Sequence, residues 1–131
     1  MYKYDIDKIE GVQRRFLKRL NGFYCLPYES RLAKLSLDSL YCRRVKSDLV
    51  MCYKILNNLV SVDADAFFTL CSSTSTRGHC IKLYKQRTTS VRDANFFSIV
   101  NIWNTLPNDI VSSCSVAVFK RKLHPLCFSS V

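Results

Sequence analysis

A chain of 131 residues that is 48% hydrophobic can bury roughly two-thirds of its unfolded surface, which excludes a coreless, disordered chain. Its net charge of +10 and pI near 9.5 favour polyanionic partners and are spread along the whole sequence, so no basic tail carries them. Seven cysteines, an odd number with no apolar leader at MYKYDIDKIE, read as reduced and mostly buried thiols rather than a disulfide framework, and no apolar run approaches the roughly 18 residues of a membrane span. The expectation is one intracellular domain over 1–131, cytoplasmic or nuclear, with no membrane partner.

In chain order, Asp5 caps a first helix running to about Leu20, with Asp7 and Glu10 in its early turns and Asn21-Gly22 as its stop. Ile6, Ile9, Phe16, Leu17 and Leu20 make its apolar face; Lys8, Arg14, Arg15, Lys18 and Arg19 make the other. Gly11 in its middle costs about 1 kcal/mol relative to alanine. Pro27 suits the first turn of a short helix to Leu35 that offers Tyr28, Leu32 and Leu35. The turn Ser36-Leu37-Asp38 then leads into Asp38–Leu59, the longest run with one clear helical period. There Tyr41, Val45, Leu49, Cys52, Leu56 and Leu59 share one face, and Arg43, Lys46 and Lys54 the opposite one. Asn57-Asn58 and Ser61 end this helix, and Asp63 caps a single turn whose Phe67 and Phe68 plug the core.

From Cys71 to Gly78 the sequence CSSTSTRG is small and polar, the composition of a loop, and marks the candidate hinge at 71–78. His79–Arg87 alternates weakly, as a strand or an extended arm would, with Phe96–Val100 as its candidate partner; that stretch reads equally well as the start of a helix through Thr105. Pro107 ends what precedes it. Ser115 caps a last helix whose Val116, Phe119 and Leu123 face inward, and Pro125 closes it. Trp103 with Phe96, Phe97, Leu106 and Phe119 would form an aromatic core. The fold class expected is mainly α: a small helical domain with a long central amphipathic helix and a short extended pair.

Catalytic signatures are sparse. With three glycines there is no phosphate-cradling loop; Asp63-Ala64-Asp65 reads as a cap with a solvated neighbour; His79 and His124 lack motif context. Cys71, His79, Cys80, His124 and Cys127 include no C-x-x-C pair, the spacing that makes a zinc reading strong. The basic faces say more, because phosphate contacts need charge and reach. Glu10 with Arg14 and Arg44 with Asp48 are four apart and can pair, leaving Arg43, Lys46 and Lys54 for a partner. Arg77, Lys82, Lys85, Arg87 and Arg92 come with no acid until Asp93 and with Tyr84 interleaved, which suits a nucleic-acid backbone with occasional stacking.

Taken in order, Asp5-Ile6, Ile9-Glu10 and Val12-Gln13-Arg14-Arg15-Phe16, then Leu26-Pro27-Tyr28-Glu29 with Arg31-Leu32, Arg43-Arg44, Asp48-Leu49 and Tyr53-Lys54-Ile55-Leu56-Asn57 form a pattern. It continues through Phe67-Phe68, Thr76-Arg77-Gly78-His79, Phe96-Phe97, Trp103-Asn104, Leu106-Pro107 and Phe119-Lys120. The pattern resembles the C-terminal segment of reverse transcriptases of non-LTR retrotransposons, the jockey-like RNA-directed DNA polymerases, over roughly Asp5 to Leu123. Gly11 and Cys80 depart from it locally. In that family the segment follows the palm and thumb, so the resemblance implies a transposable-element fragment, a truncated copy or partial gene, without the magnesium-binding aspartates.

The resemblance thus implies no catalysis by this chain and no cofactor of its own, magnesium belonging to the parent enzyme. It implies instead a role in holding template RNA and target DNA during target-primed reverse transcription, with RNA or DNA and the remainder of a reverse transcriptase as partners. The residues expected to bind nucleic acid are Arg14, Arg15, Lys18 and Arg19 on the first helix, Arg43, Lys46 and Lys54 on the central one, and Lys82, Lys85 and Arg87 on the arm. The alternatives are a structural module that buttresses the polymerase thumb through its apolar faces, and a relic without function.

Overall fold

The structure, a computed structural model, describes residues 3–71, 78–85, 87 and 89–128, and for 91–97 the backbone alone. The chain is mainly α-helical, and the span read as one domain separates into two compact units, Met1–Val45 with Cys127–Val131 and Lys46–Leu126. The candidate hinge falls within the second interval, and its residues 72–77 lie outside the described residues.

In the first unit, α1 (Lys3–Lys18) and α2 (Tyr28–Lys34) pack with the opening turns of α3 (Leu40–Leu56). Asp5 stands in the first turn of α1 rather than at its cap, and Pro27 is the N-cap of α2 rather than its first residue. The larger correction is to the inward face of α1. Leu17 and Glu10 are buried and Ile6, Gln13 and Leu20 are half-buried, whereas Ile9 and Phe16 are exposed beside Val12. At 100° per residue Ile9 and Phe16 lie at the edge of the stripe centred on Ile6, Glu10, Gln13 and Leu17. Polar partners across the interface chose the rotation: they fit Glu10 and Gln13, and hydrophobicity alone does not register them.

Glu10 shows this directly. Its carboxylate accepts from the Tyr28 hydroxyl and from the backbone N–H groups of Leu40 (3.2 Å) and Tyr41 (3.3 Å), the first two residues of α3. Ser39 Oγ takes the N–H of Cys42 at 3.1 Å. The open donors of the α3 N-terminus are therefore satisfied by one local cap and one carboxylate from another helix, whose charge also suits the helix dipole. That explains why α3 begins at Leu40, past the expected Asp38, and why Glu10 does not pair with Arg14. Arg31, equally buried, donates to the carbonyls of Phe23 (3.0 Å), Tyr24 (3.3 Å) and Arg14 (3.4 Å), tying the connection after α1 to α2.

α2 and α3 stop in the same way. Ser36 and Asn58 take left-handed backbone conformations (φ 52° and 54°), and the following N–H groups of Leu37 and Leu59 reach back to the carbonyls of Leu32 and Lys54. These are Schellman closures made without glycine, and the one at Asn58 stops α3 at Leu56 and leaves Leu59 exposed.

The second unit holds the rest of α3, then α4 (Ala64–Phe67), α5 (Val91–Thr105), α6 (Asn108–Val111) and α7 (Val116–Leu123). Asp63 caps α4 by accepting from Asp65 N, and Ser115 caps α7 by accepting from Val118 N, both as the sequence predicts. α6, started by Pro107, is an addition to that reading. Of the two plugs, Phe68 is buried and Phe67 is exposed. The core is built on Leu49, Cys52 and Tyr53 of α3, Val100 and Trp103 of α5, and Phe119 and Leu123 of α7, all at 2% exposure or less. Phe119 stacks on Tyr53 (centroids 4.4 Å apart) and lies 6.0 Å from Trp103, which His79 meets edge-on at 6.0 Å. Tyr53 and His79 thus join the expected aromatic cluster, while the side chains of Phe96 and Phe97 lie outside the described residues. Burying aliphatic and phenyl groups of this size contributes roughly 1.5–3 kcal/mol each.

The extended segment pairs with Leu70, not with Phe96–Val100, which belongs to α5. Leu83 bridges Leu70 in antiparallel fashion, with Cys71 N donating to Lys82 O (2.8 Å) and Tyr84 N to Thr69 O (2.7 Å). Its other edge is covered by side chains. The Asn104 amide both accepts from Leu83 N and donates to Leu83 O, each at 2.8 Å, and Trp103 Nε1 donates to Ile81 O at 2.9 Å. One asparagine thereby does what a neighbouring strand would do, which is how a lone strand persists in a helical protein.

The cysteines also correct expectation. None of the seven forms a disulfide, yet only Cys42 and Cys52 are buried; Cys25, Cys80, Cys114 and Cys127, outside the helices, are exposed.

Candidate nucleic-acid interface

The four cations proposed on α1 are all exposed. Three of them, Arg15, Lys18 and Arg19, converge with Tyr24 on one groove, closed by Leu20, Asn21 and Gly22. The local cause is the stop after Lys18: Gly22 takes a left-handed conformation (φ 81°), and Arg31 holds the carbonyls of Phe23 and Tyr24. The chain therefore folds back beside the last turn of α1, and the exposed Tyr24 ring stands 4.6 Å from Lys18 Nζ. Among the described residues no carboxylate lines the groove. Arg15 Nε is steered by the Gly11 carbonyl at 3.2 Å, while Arg14 lies over the Tyr28 ring at 5.0 Å.

Tyr28 is tightly engaged. It donates to Glu10 and accepts from Gln13 Nε2 (3.2 Å), and the Gln13 oxygen accepts from the Arg43 guanidinium. Burial, then the hydrogen bond to the Glu10 carboxylate, pushes the Tyr28 hydroxyl up to about 12. Arg43, expected to be free for a partner, is thus the exposed end of a hydrogen-bonded chain from Gln13 through Tyr28 to Glu10.

The other two cations of the central helix belong to the second unit. Lys46 is not free either: its ammonium donates to the His124 carbonyl at 2.7 Å, at the end of α7. Lys54 is half-buried on the same face of α3. On the arm, Lys82 is held between Gly78 and α5, since its ammonium donates to Asn104 O at 2.8 Å and a Cβ at Gly78 would sit 3.1 Å from Nζ. Lys85, Arg87 and the Tyr84 ring are exposed, so of the three site cations expected on the arm two stand exposed beside the expected ring.

Sequence reasoning missed Tyr24, although an aromatic pair straight after an Asn-Gly helix stop, beside a basic last turn, is a usable signal. It also missed Lys120, which lines a groove with Lys46 and Lys54 because α7 returns to α3. Among the described residues no group of three or more His, Cys, Asp or Glu is placed to hold a metal ion, and His79 is instead a core residue whose Nε2 meets the Trp103 carbonyl at 3.0 Å. No helix there is long and apolar enough to cross a membrane. Compared with known proteins, the chain matches no family model, curated protein or solved structure.

Proposed function

We propose that this chain is the C-terminal, nucleic-acid-binding segment of a non-LTR retrotransposon RNA-directed DNA polymerase, and that it grips template RNA or target DNA through the groove at the end of α1. The observation that carries the binding role is the convergence of Arg15, Lys18 and Arg19 on an exposed tyrosine, with no acid among the described residues of the lining. Arginines bind phosphates in a bidentate way, lysine adds charge with reach, and the tyrosine face offers a stacking platform to an unpaired base. The placement in a reverse transcriptase rests on the order of sequence elements from Asp5 to Leu123. No catalytic step is assigned to the chain.

The test is fluorescence anisotropy with labelled RNA and DNA oligonucleotides over a salt series. Neutralising about four to six phosphates gives a log–log slope of about −4 to −5 on a duplex and about −3 to −4 on a single strand. The double variant R15E/R19E should weaken binding about 100-fold and flatten the slope by about 2. A salt-independent affinity would overturn the proposal. The polymerase placement is tested separately by genomic sequence upstream of Met1, where an open or decayed polymerase frame is expected.

A second reading is favoured by the other correction to α1. Ile9, Val12 and Phe16 form one outward stripe, 40%, 60% and 64% exposed, with the spacing of a helix–helix contact. In that reading the segment buttresses the polymerase thumb through this stripe. Light scattering separates the two: the isolated chain should self-associate if the stripe is a buried interface of the parent, and V12K/F16K should restore a monomer.

A further inference from the structure

The second unit carries a groove of a different chemistry. Lys46, Val50 and Lys54 follow one another at four-residue steps along α3, with Met51 beside them, and α7 supplies Lys120 and Leu123 opposite. Its volume is about 430 Å³. The floor is aliphatic: Leu123 is buried, Val50 is half-buried and Met51 is 51% exposed. The rim is cationic, and no carboxylate among the described residues lines it. The His124 carbonyl fixes the Lys46 ammonium at one end of the groove.

Charge and shape together narrow the occupant. Three lysines select an anion, and the aliphatic floor selects a ligand that buries branched or unbranched hydrocarbon, a task for which an exposed methionine is well suited. Among the described residues the lining has no arginine fork and, apart from the His124 imidazole at one end, no ring, which disfavours a nucleic-acid strand whose successive bases need stacking surfaces. A second copy of this chain, itself at +10, is repelled. Lys46 and Lys54 are about 12 Å apart along the axis at 1.5 Å per residue, the span of two turns of a docked helix.

We propose that the α3–α7 groove binds an acidic amphipathic helix of a partner protein, with leucine-like side chains on Val50, Met51 and Leu123 and carboxylates on Lys46, Lys54 and Lys120. This goes beyond nucleic-acid binding and does not depend on it. The proposal treats the groove as a helix receptor, in which apolar anchors recur every three or four residues and flanking charges set partner choice.

The test uses the full chain and a fluorescein-labelled peptide of about 15 residues, with leucines on one helical face, glutamates flanking them and alanines elsewhere. It should bind at least about 10-fold tighter than a scrambled peptide of equal composition. K54E/K120E should lower affinity about 30-fold or more and M51S about 3-fold, with oligonucleotide affinity in M51S unchanged to within about 2-fold. If K54E/K120E loses its helical circular dichroism, K54Q/K120Q provides the same comparison with a smaller, roughly 10-fold, loss. Equal binding of the scrambled peptide, unchanged affinity in the charge variants, or displacement of the peptide by a single-stranded oligonucleotide at equal occupancy would each overturn the proposal.

Discussion

The two units carry the same net charge, because basic and acidic residues divide evenly at Val45, yet they are held together by different means. Unit one buries little apolar surface, chiefly Leu17, Cys42 and Val45, and relies on Glu10, Gln13, Tyr28 and Arg31 to satisfy helix ends and loop carbonyls. Unit two stacks Tyr53, Phe119 and Trp103 in a closed core and uses hydrogen bonds mainly to seal its one extended segment. A polar scaffold is specific but weak, since each hydrogen bond nets only about 1 kcal/mol, whereas an aromatic core is strong and tolerant of its surface. The difference also sorts the surfaces: arginines and tyrosines stand around the polar unit, lysines and methionine around the α3–α7 groove.

The largest effect that would test this contrast is Phe119→Ala. It should destabilise the chain by about 3–5 kcal/mol in urea denaturation, because no other ring can fill the space between Tyr53 and Trp103. Asn104→Asp comes next. It keeps the acceptor for Leu83 N but loses the donor to Leu83 O and should cost about 1–3 kcal/mol, with Leu83 and Tyr84 amides exchanging faster in hydrogen-exchange measurements. Glu10→Gln, which removes the charge at the α3 N-terminus and keeps the shape, should cost about 1–2 kcal/mol, and that loss should appear first as fraying around Leu40–Tyr41. A cost above that of Phe119→Ala would break the comparison.

A further pair of effects is expected in base, and each unit has its own reporter. Burial pushes the Cys52 thiol from 9.0 up to about 12, and Tyr28 rises from 10.0 to about 12. In both cases the unfolded chain loses its proton first, so the folded state binds more protons over this range. Stability from these groups is complete below about pH 9 and declines as pH rises toward about 12. Denaturation midpoints at about pH 8 and about pH 11 should therefore differ less in Cys52→Ala and in Tyr28→Phe than in the parent chain. An unchanged difference in Cys52→Ala would show that the second core is more hydrated than its packing implies.

The helices other than α5 and α6, the caps at Asp63 and Ser115, and the inward residues Val45, Leu49, Cys52, Phe119 and Leu123 were legible because they depend on neighbours within one or two turns. The rotation of α1 was not, since Glu10 and Gln13 look like surface residues until Tyr28 and the start of α3 are beside them. The partners of the extended segment were hidden for a related reason: one edge meets the single residue Leu70 and the other an asparagine side chain from a helix, and neither forms an apolar run. For the candidate site, the cluster Arg15, Lys18 and Arg19 could be anticipated from helical spacing. That Arg43, Lys46 and Lys82 are hydrogen-bonded within the protein could not, because their acceptors lie 22 to 78 residues away.

By itself, the sequence determined a basic, mainly α-helical chain, the long central helix and the placement of cations on the outer turns of α1, all consequences of local periodicity and capping. Only the tertiary structure decided which face of α1 is buried, which lysines and arginines are committed to backbone or side-chain acceptors, and that α7 closes a lysine-rimmed groove against α3. Those choices depend on contacts between residues far apart in the chain, where a hydrogen bond or a ring stack satisfied on one side determines what is left exposed on the other.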